Sequence, residues 1–115
     1  MTIMYGIPNC DTIKKAKKLL SDNNIAFSFH DYRKEGLDET LLDTFFAQLG
    51  WENVLNKRGT TYRALTEEQK QTLNEQTAKA LLLDAPAMIK RPILVHNDKY
   101  YLGFKKEQYQ EIFAL

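Results

Sequence analysis

The spacing of apolar residues changes several times along the chain, and each change marks a new element. Residues 2–6, Thr-Ile-Met-Tyr-Gly, are short, apolar and β-prone, which predicts a buried strand. Pro8 and Asn9 predict a turn. From Asp11 the period becomes helical. Ile13, Ala16, Leu19 and Leu20 fall on one face, with Lys14, Lys15, Lys17 and Lys18 around the other. Asp22-Asn23-Asn24 closes this helix, because asparagine tolerates the left-handed conformation found at helix ends. Residues 26–32, Ala-Phe-Ser-Phe-His-Asp-Tyr, predict a second strand. Strand, helix and strand within about 30 residues make a βαβ unit, with parallel strands and a right-handed crossover.

A polar turn is expected from Arg33 to Gly36. Asp38 suits an N-cap, and Leu41, Leu42, Phe45, Phe46 and Leu49 form an apolar stripe that Gly50 closes. A short apolar stretch runs from Trp51 to Leu55, followed by a polar loop from Asn56 to Thr61. Thr66 with Gln69 fits a capping box. Residues 76–84 predict a short helix that ends before Pro86. Ile93-Leu94-Val95-His96, the turn Asn97-Asp98 and Tyr100-Tyr101-Leu102 predict a β-hairpin. Gln108 to Leu115 predicts a closing helix with Tyr109, Ile112 and Phe113 inward. The order is β-α-β, a helical stretch, then β-β-α. This predicts an α/β chain with a four-stranded mixed sheet and helices on both faces, in the order of a thioredoxin/glutaredoxin-like core. Residues from 38 to about 85 would be a helical insertion in a single domain spanning 1–115.

Composition narrows the function. The chain has 115 residues, 43% of them hydrophobic, which is one domain's worth of core. Sixteen Lys and Arg face fifteen Asp and Glu, so no strong positive charge is available to hold nucleic acid by its phosphates. No apolar run approaches the roughly 20 residues of a membrane helix, and the first residues lack the pattern of a signal peptide. With one cysteine, no internal disulfide can form, and a cytoplasmic, reducing setting is expected.

That cysteine, Cys10, stands between the first strand and the first helix. A thiol there faces unpaired helix N–H groups and the positive end of the helix dipole, both of which favour the thiolate. The helix itself carries four lysines near its start. Against this stands the commonest fate of a free cysteine, a small buried hydrophobe. Arg91-Pro92 precedes the third strand, and X-Pro is the bond at which cis is cheap. In a thioredoxin-like core this loop lies beside the reactive cysteine. A cis bond would turn the backbone toward a bound thiol partner, and the Arg91 guanidinium would hold a carboxylate or oxyanion. Lys90 and the Lys57-Arg58 pair offer similar chemistry or are solvated charges. His30 and His96 have no partners at metal-ligand spacing, so no metal site is expected. The five glycines match no phosphate-binding fingerprint.

Several stretches resemble the arsenate reductase (ArsC)/Spx family, most closely its small YffB-type branch. They are Tyr5-Gly6-Ile7-Pro8-Asn9-Cys10-Asp11-Thr12-Ile13-Lys14-Lys15-Ala16, Phe29-His30-Asp31-Tyr32-Arg33 and Leu49-Gly50-Trp51. The others are Leu55-Asn56-Lys57-Arg58-Gly59-Thr60-Thr61-Tyr62, Ile89-Lys90-Arg91-Pro92-Ile93-Leu94 and Leu102-Gly103-Phe104. The resemblance implies a thioredoxin-like fold with a helical insertion and a thiol-redox function. It implies Cys10 as the catalytic thiol and Arg91, Arg58, Lys14 and Thr12 as anion- or glutathione-binding residues. Pro92 would shape the site. Glutathione would serve as co-substrate, with no bound cofactor.

Arsenate reductases of this type resemble Asn-Pro-x-Cys-Gly-Thr-Ser-Arg. Pro8 and Thr12 agree, whereas Ile7, Asp11, Ile13 and Lys14 depart. Phe104 stands where those enzymes have an arginine. Asn56 stands at another such position, with Arg58 two residues on. Ile13 also replaces the second cysteine of the Spx Cys-x-x-Cys. Two functions follow from the resemblance. One is a monothiol, glutathione-linked reductase acting on an oxidised thiol, with arsenate the lesser substrate. The other is a non-catalytic, Spx-like protein that binds RNA polymerase. Neither implies nucleic-acid or membrane binding.

Overall fold

Thr2–Gly6 forms the first strand in a computed structural model that describes residues 2–8 and 10–115. The turn expected at Pro8 and Asn9 therefore lies partly outside the described residues. In chain order the elements are β1 (Thr2–Gly6), α1 (Asp11–Asp22), β2 (Ser28–Asp31), α2 (Tyr32–Glu35), α3 (Glu39–Leu49) and α4 (Trp51–Val54). They continue as α5 (Thr60–Arg63), α6 (Glu67–Gln71), α7 (Glu75–Asp84), a 3-10 turn (Pro86–Met88), β3 (Ile93–His96), β4 (Lys99–Leu102) and α8 (Lys106–Ile112). They fall into two compact units. One is the chain up to Glu35 together with Arg91–Leu115; the other is Gly36–Lys90.

The first unit holds the sheet, in the order β2-β1-β3-β4. β1 runs parallel to β2, with Tyr5 opposite His30 and Gly6 opposite Asp31. β3 is antiparallel to both β1 and β4, so Met4, Leu94 and Tyr101 share one face. Both long helices of this unit pack there. Ile13, Ala16 and Leu20 of α1 and Tyr109 of α8 join Met4 and Leu94 in one fully buried cluster. Each fully buried aliphatic side chain in such a cluster contributes about 1.5–3 kcal/mol. Lys17, on the flank of α1, lies 3.7 Å above the Phe29 ring. Asn24 takes the left-handed conformation past the helix end, at φ 58°. The hairpin turn at Asn97 and Asp98 has positive φ at both residues, which matches the twist of the strands it joins.

Three boundaries differ from the expected ones. The second strand covers only residues 28–31, because Gly6 ends β1 and leaves no partner beyond Asp31. The chain then turns into α2 instead of a plain polar turn. Asp31 Oδ1 accepts from the Arg33 N–H at 2.8 Å, and Glu35 Oε2 accepts from the Asp31 N–H at 3.0 Å. The last helix spans Lys106–Ile112, and Ala114, at φ 55°, leaves it in the left-handed region.

The second unit is helical. Asp38 accepts from the Leu41 N–H at 2.7 Å, and Gly50, at φ +87°, closes α3. Thr66 and Gln69 form the expected capping box. Asn74 and Thr77 form another, which starts α7 at Glu75. The stretch from Trp51 is one helical turn, and the loop after Asn56 gives way to α5 at Thr60. Leu42, Phe45, Val54, Ala78 and Leu82 are fully buried. Lys79 ties α7 to α3, at 3.1 Å from Glu39 and 2.9 Å from Asp43.

Candidate active site

Cys10 is the N-cap residue of α1, with extended backbone at φ −129° and ψ 127°. Its carbonyl accepts from the Lys14 N–H at 3.0 Å. Its thiol is half-buried and packs against the core of the first unit. The side chain makes no hydrogen bond of capping geometry. It nevertheless lies where helix N–H groups act on its charge. Partial burial pushes the thiol up, but three groups outweigh it: the Ile13 N–H, the Arg91 guanidinium and the Thr12 N–H. The net effect holds Cys10 below its ordinary value and enriches the nucleophilic thiolate.

Arg91 reaches this sulfur from the loop before β3, and it acts there both as hydrogen-bond donor and as charge. The Arg91-Pro92 bond is cis, as expected, and Pro92 is buried. The Pro92 carbonyl accepts from the Gly103 N–H at 2.9 Å. Gly6 lets these pieces meet. A Cβ on Gly6 would lie 2.6 Å from Ile13 Cδ1 and 3.8 Å from Arg91 Cβ.

Of the expected site residues, Cys10, Arg91 and Thr12 come together, Thr12 through its backbone N–H. Lys14 sits in the first turn of α1 with its side chain exposed, and Arg58 is exposed in the second unit. The Arg58 N–H donates to Asn56 Oδ1 at 3.1 Å. Among residues given no role from sequence, Tyr32 stands out. It is 3% exposed, and its phenol is held above the usual range by burial and by Tyr5, with Arg91 opposing. Its ring stacks on Tyr5 at 6.4 Å and meets His30 edge-on at 5.9 Å. The signal was its place right after β2, where the register sets Asp31 beside Gly6. His30 is a packed histidine, 4.0 Å from Glu35, and His96 meets Thr2 Oγ1 at 2.8 Å.

A four-stranded mixed sheet with a lone thiol at the start of its first helix defines a thioredoxin-like thiol protein. The ArsC family model matches residues 5–112, and the chain belongs to the ArsC family. It is 46% identical to an uncharacterised protein of Haemophilus influenzae, over 99% of this chain and 100% of that one. A solved structure of a protein called YffB is 43% identical, covers 97% of this chain and 98% of its own, and superposes with a TM-score of 0.92. An arsenate reductase (ArsC) related protein from Brucella melitensis is 46% identical over 99% and 95%, with a TM-score of 0.82. Further away, the global transcriptional regulator Spx of Streptococcus agalactiae is 24% identical over 94% of this chain and 80% of its own. Among the described residues, no helix is long and apolar enough to cross a membrane.

Proposed function

We propose that this chain is a monothiol oxidoreductase that works with glutathione. The Cys10 thiolate attacks one sulfur of an oxidised substrate, R–S–S–R′. A Cys10–S–S–R bond forms, and R′S⁻ leaves with the electron pair of the broken bond. A glutathione thiolate then attacks the substrate sulfur R of that adduct. This releases the Cys10 thiolate and leaves a glutathione–R disulfide for a further glutathione to reduce. Arg91 would hold a carboxylate of glutathione beside the sulfur, with Thr12 and Lys14 at the helix start as lesser contributors. The observation that carries the reading is the placement of Cys10, with the Ile13 and Thr12 N–H groups and the Arg91 guanidinium all favouring its anion. Arsenate is the lesser substrate, because Ile7, Asp11, Ile13 and Lys14 replace the oxyanion loop of arsenate reductases.

The similarity to Spx favours a second reading, a protein that acts on the transcription machinery by binding alone. Ile13 stands where Spx-type chains place their second cysteine, and with Cys10 the single cysteine of the sequence no disulfide switch forms within this chain. Mass spectrometry after mixing with oxidised glutathione separates the readings. One glutathione on Cys10, absent from Cys10→Ser, is expected of the oxidoreductase. No adduct on the folded protein would favour the binding protein.

A further inference from the structure

Tyr32 opens α2 directly after β2 and is 3% exposed. Its ring is clamped by Tyr5 of β1, stacked on it at 6.4 Å, and by His30 of β2, edge-on at 5.9 Å. The phenol oxygen therefore has one fixed place. That oxygen is buried and has no hydrogen-bond partner among the described residues. A buried hydroxyl without a partner destabilises a fold, and a phenylalanine ring would fill the same space without that cost. Burial and Tyr5 hold the phenol above its usual range, so it stays neutral. The strand order sets where this hydroxyl lies. β1 is flanked by β2 and β3, and its last residue, Gly6, lies opposite Asp31, the residue before Tyr32. Arg91 Cβ is 3.8 Å from the position a Cβ on Gly6 would take. Tyr32 and Arg91 thus meet around one strand end, and the Arg91 guanidinium acts as a charge on the phenol oxygen and on the Cys10 sulfur alike. Besides Arg91, the titratable groups around Tyr32 are Tyr5 and His30.

We propose that Tyr32 is a positioning residue of the thiol site, whose buried hydroxyl oxygen holds the Arg91 guanidinium in place beside the Cys10 sulfur. No hydrogen bond joins the phenol to the guanidinium. The hydroxyl proton rotates away from the cation and leaves the oxygen lone pairs toward it, and this attraction of charge and dipole is strong where water is excluded. Because the phenol stays neutral, it holds the guanidinium without competing with the thiolate for it as a second anion would. Its part in turnover rests on the oxidoreductase reading; its effect on the thiol does not. In that reading Cys10 loses its charge on entering a disulfide, and Tyr32 keeps Arg91 at the site to meet the carboxylate of the incoming glutathione.

The test is the pH dependence of iodoacetamide alkylation of Cys10 in Tyr32→Phe, which removes the oxygen and keeps the ring. The midpoint should rise by about 0.3–0.7 unit, a roughly two- to five-fold loss of thiolate below it. In an Arg91→Ala background the same substitution should add no further shift, because there is no guanidinium left to hold. Urea unfolding should show Tyr32→Phe at least as stable as the parent, since it loses a hydroxyl that had no partner. Tyr109→Phe removes another buried phenol oxygen without a partner, from the core cluster under α1, and should leave the midpoint where it is. An unchanged midpoint in Tyr32→Phe, a shift of equal size without Arg91, or an equal shift in Tyr109→Phe would overturn the proposal. So would a shift that comes with a loss of stability, which would assign Tyr32 to the packing of the strand ends. Alkylation needs no glutathione, so the two readings fail separately. A glutathione adduct on the parent with an unchanged midpoint in Tyr32→Phe overturns the role of Tyr32 alone. The Arg91-dependent shift without any adduct on the parent supports the positioning of Arg91 and overturns the oxidoreductase reading.

Discussion

Replacing Gly6 by alanine probes how the strand end, the first helix and the thiol depend on one another. The new Cβ would lie 2.6 Å from Ile13 Cδ1 and 3.3 Å from Ile13 Cγ1. Carbon atoms in good contact sit about 3.5–4.0 Å apart. Ile13 is fully buried, so its side chain has no solvent to swing into. Overpacking of this kind costs about 1–3 kcal/mol. In a chain of this size each kcal/mol lowers Tm by roughly 3–6 °C. Ile13→Val removes the atom in closest conflict and costs about 0.5–1.5 kcal/mol by itself. The double variant Gly6→Ala/Ile13→Val should therefore be about as stable as Ile13→Val alone, a coupling equal to the overpacking cost of about 1–3 kcal/mol. Urea unfolding of the four proteins gives the cycle. The Ile13 N–H also faces the Cys10 sulfur, so a displaced first turn favours the thiolate less. The pH dependence of iodoacetamide alkylation should shift upward in Gly6→Ala and return in the double variant. A Gly6→Ala protein as stable as the parent, or costs that simply add in the double variant, would refute the close approach as the reason for glycine here.

Three further outcomes are expected. Arg91→Ala should raise the Cys10 pKa and weaken glutathione capture by roughly 10–150-fold, the equivalent of about 1.5–3 kcal/mol for a charge-assisted contact, with unfolding little changed; alkylation profiles and adduct yields read both. Because Cys10 is held below its ordinary value when folded, its thiolate stabilises the fold above the unfolded pKa of about 8.5, and that contribution fades as pH falls through the folded value. The stability advantage over Cys10→Ser should grow as pH rises through this window, and a flat or shrinking difference in urea unfolding would contradict it. Glutathione-dependent arsenate turnover should be weak or absent beside a dedicated arsenate reductase at matched enzyme, and comparable turnover would show that the changes around Cys10 matter little.

Local elements were readable because their signals are local. The apolar face of α1, the Asp38 cap, the Thr66 capping box and the hairpin turn each lie within a few residues of one another. The missed boundaries have non-local causes. Tyr32 looks like a strand residue by its neighbours, but its partner strand has already ended at Gly6. The Asn74 cap lies ahead of the apolar pattern of α7, so that pattern alone does not mark it. In the site, Cys10 was legible from its place before a helical period. Arg91 was legible through family resemblance and the proline beside it.

The sequence by itself determined that a lone thiol caps the first helix of a βαβ unit, because periodicity and capping are written over a few consecutive residues. It also determined that this thiol has no second cysteine to pair with. Tertiary structure decided how a charge so distant in the chain reaches that thiol. The order β2-β1-β3-β4 sets the start of β3 beside the end of β1 and carries Arg91 to Cys10 from the far end of the chain. It also decided why residue 6 has no side chain, since only the packed sheet and helix bring Ile13 into the space a Cβ would fill. Side-chain spacing records which face a residue takes; the distance between two faces exists only once the chain has closed on itself.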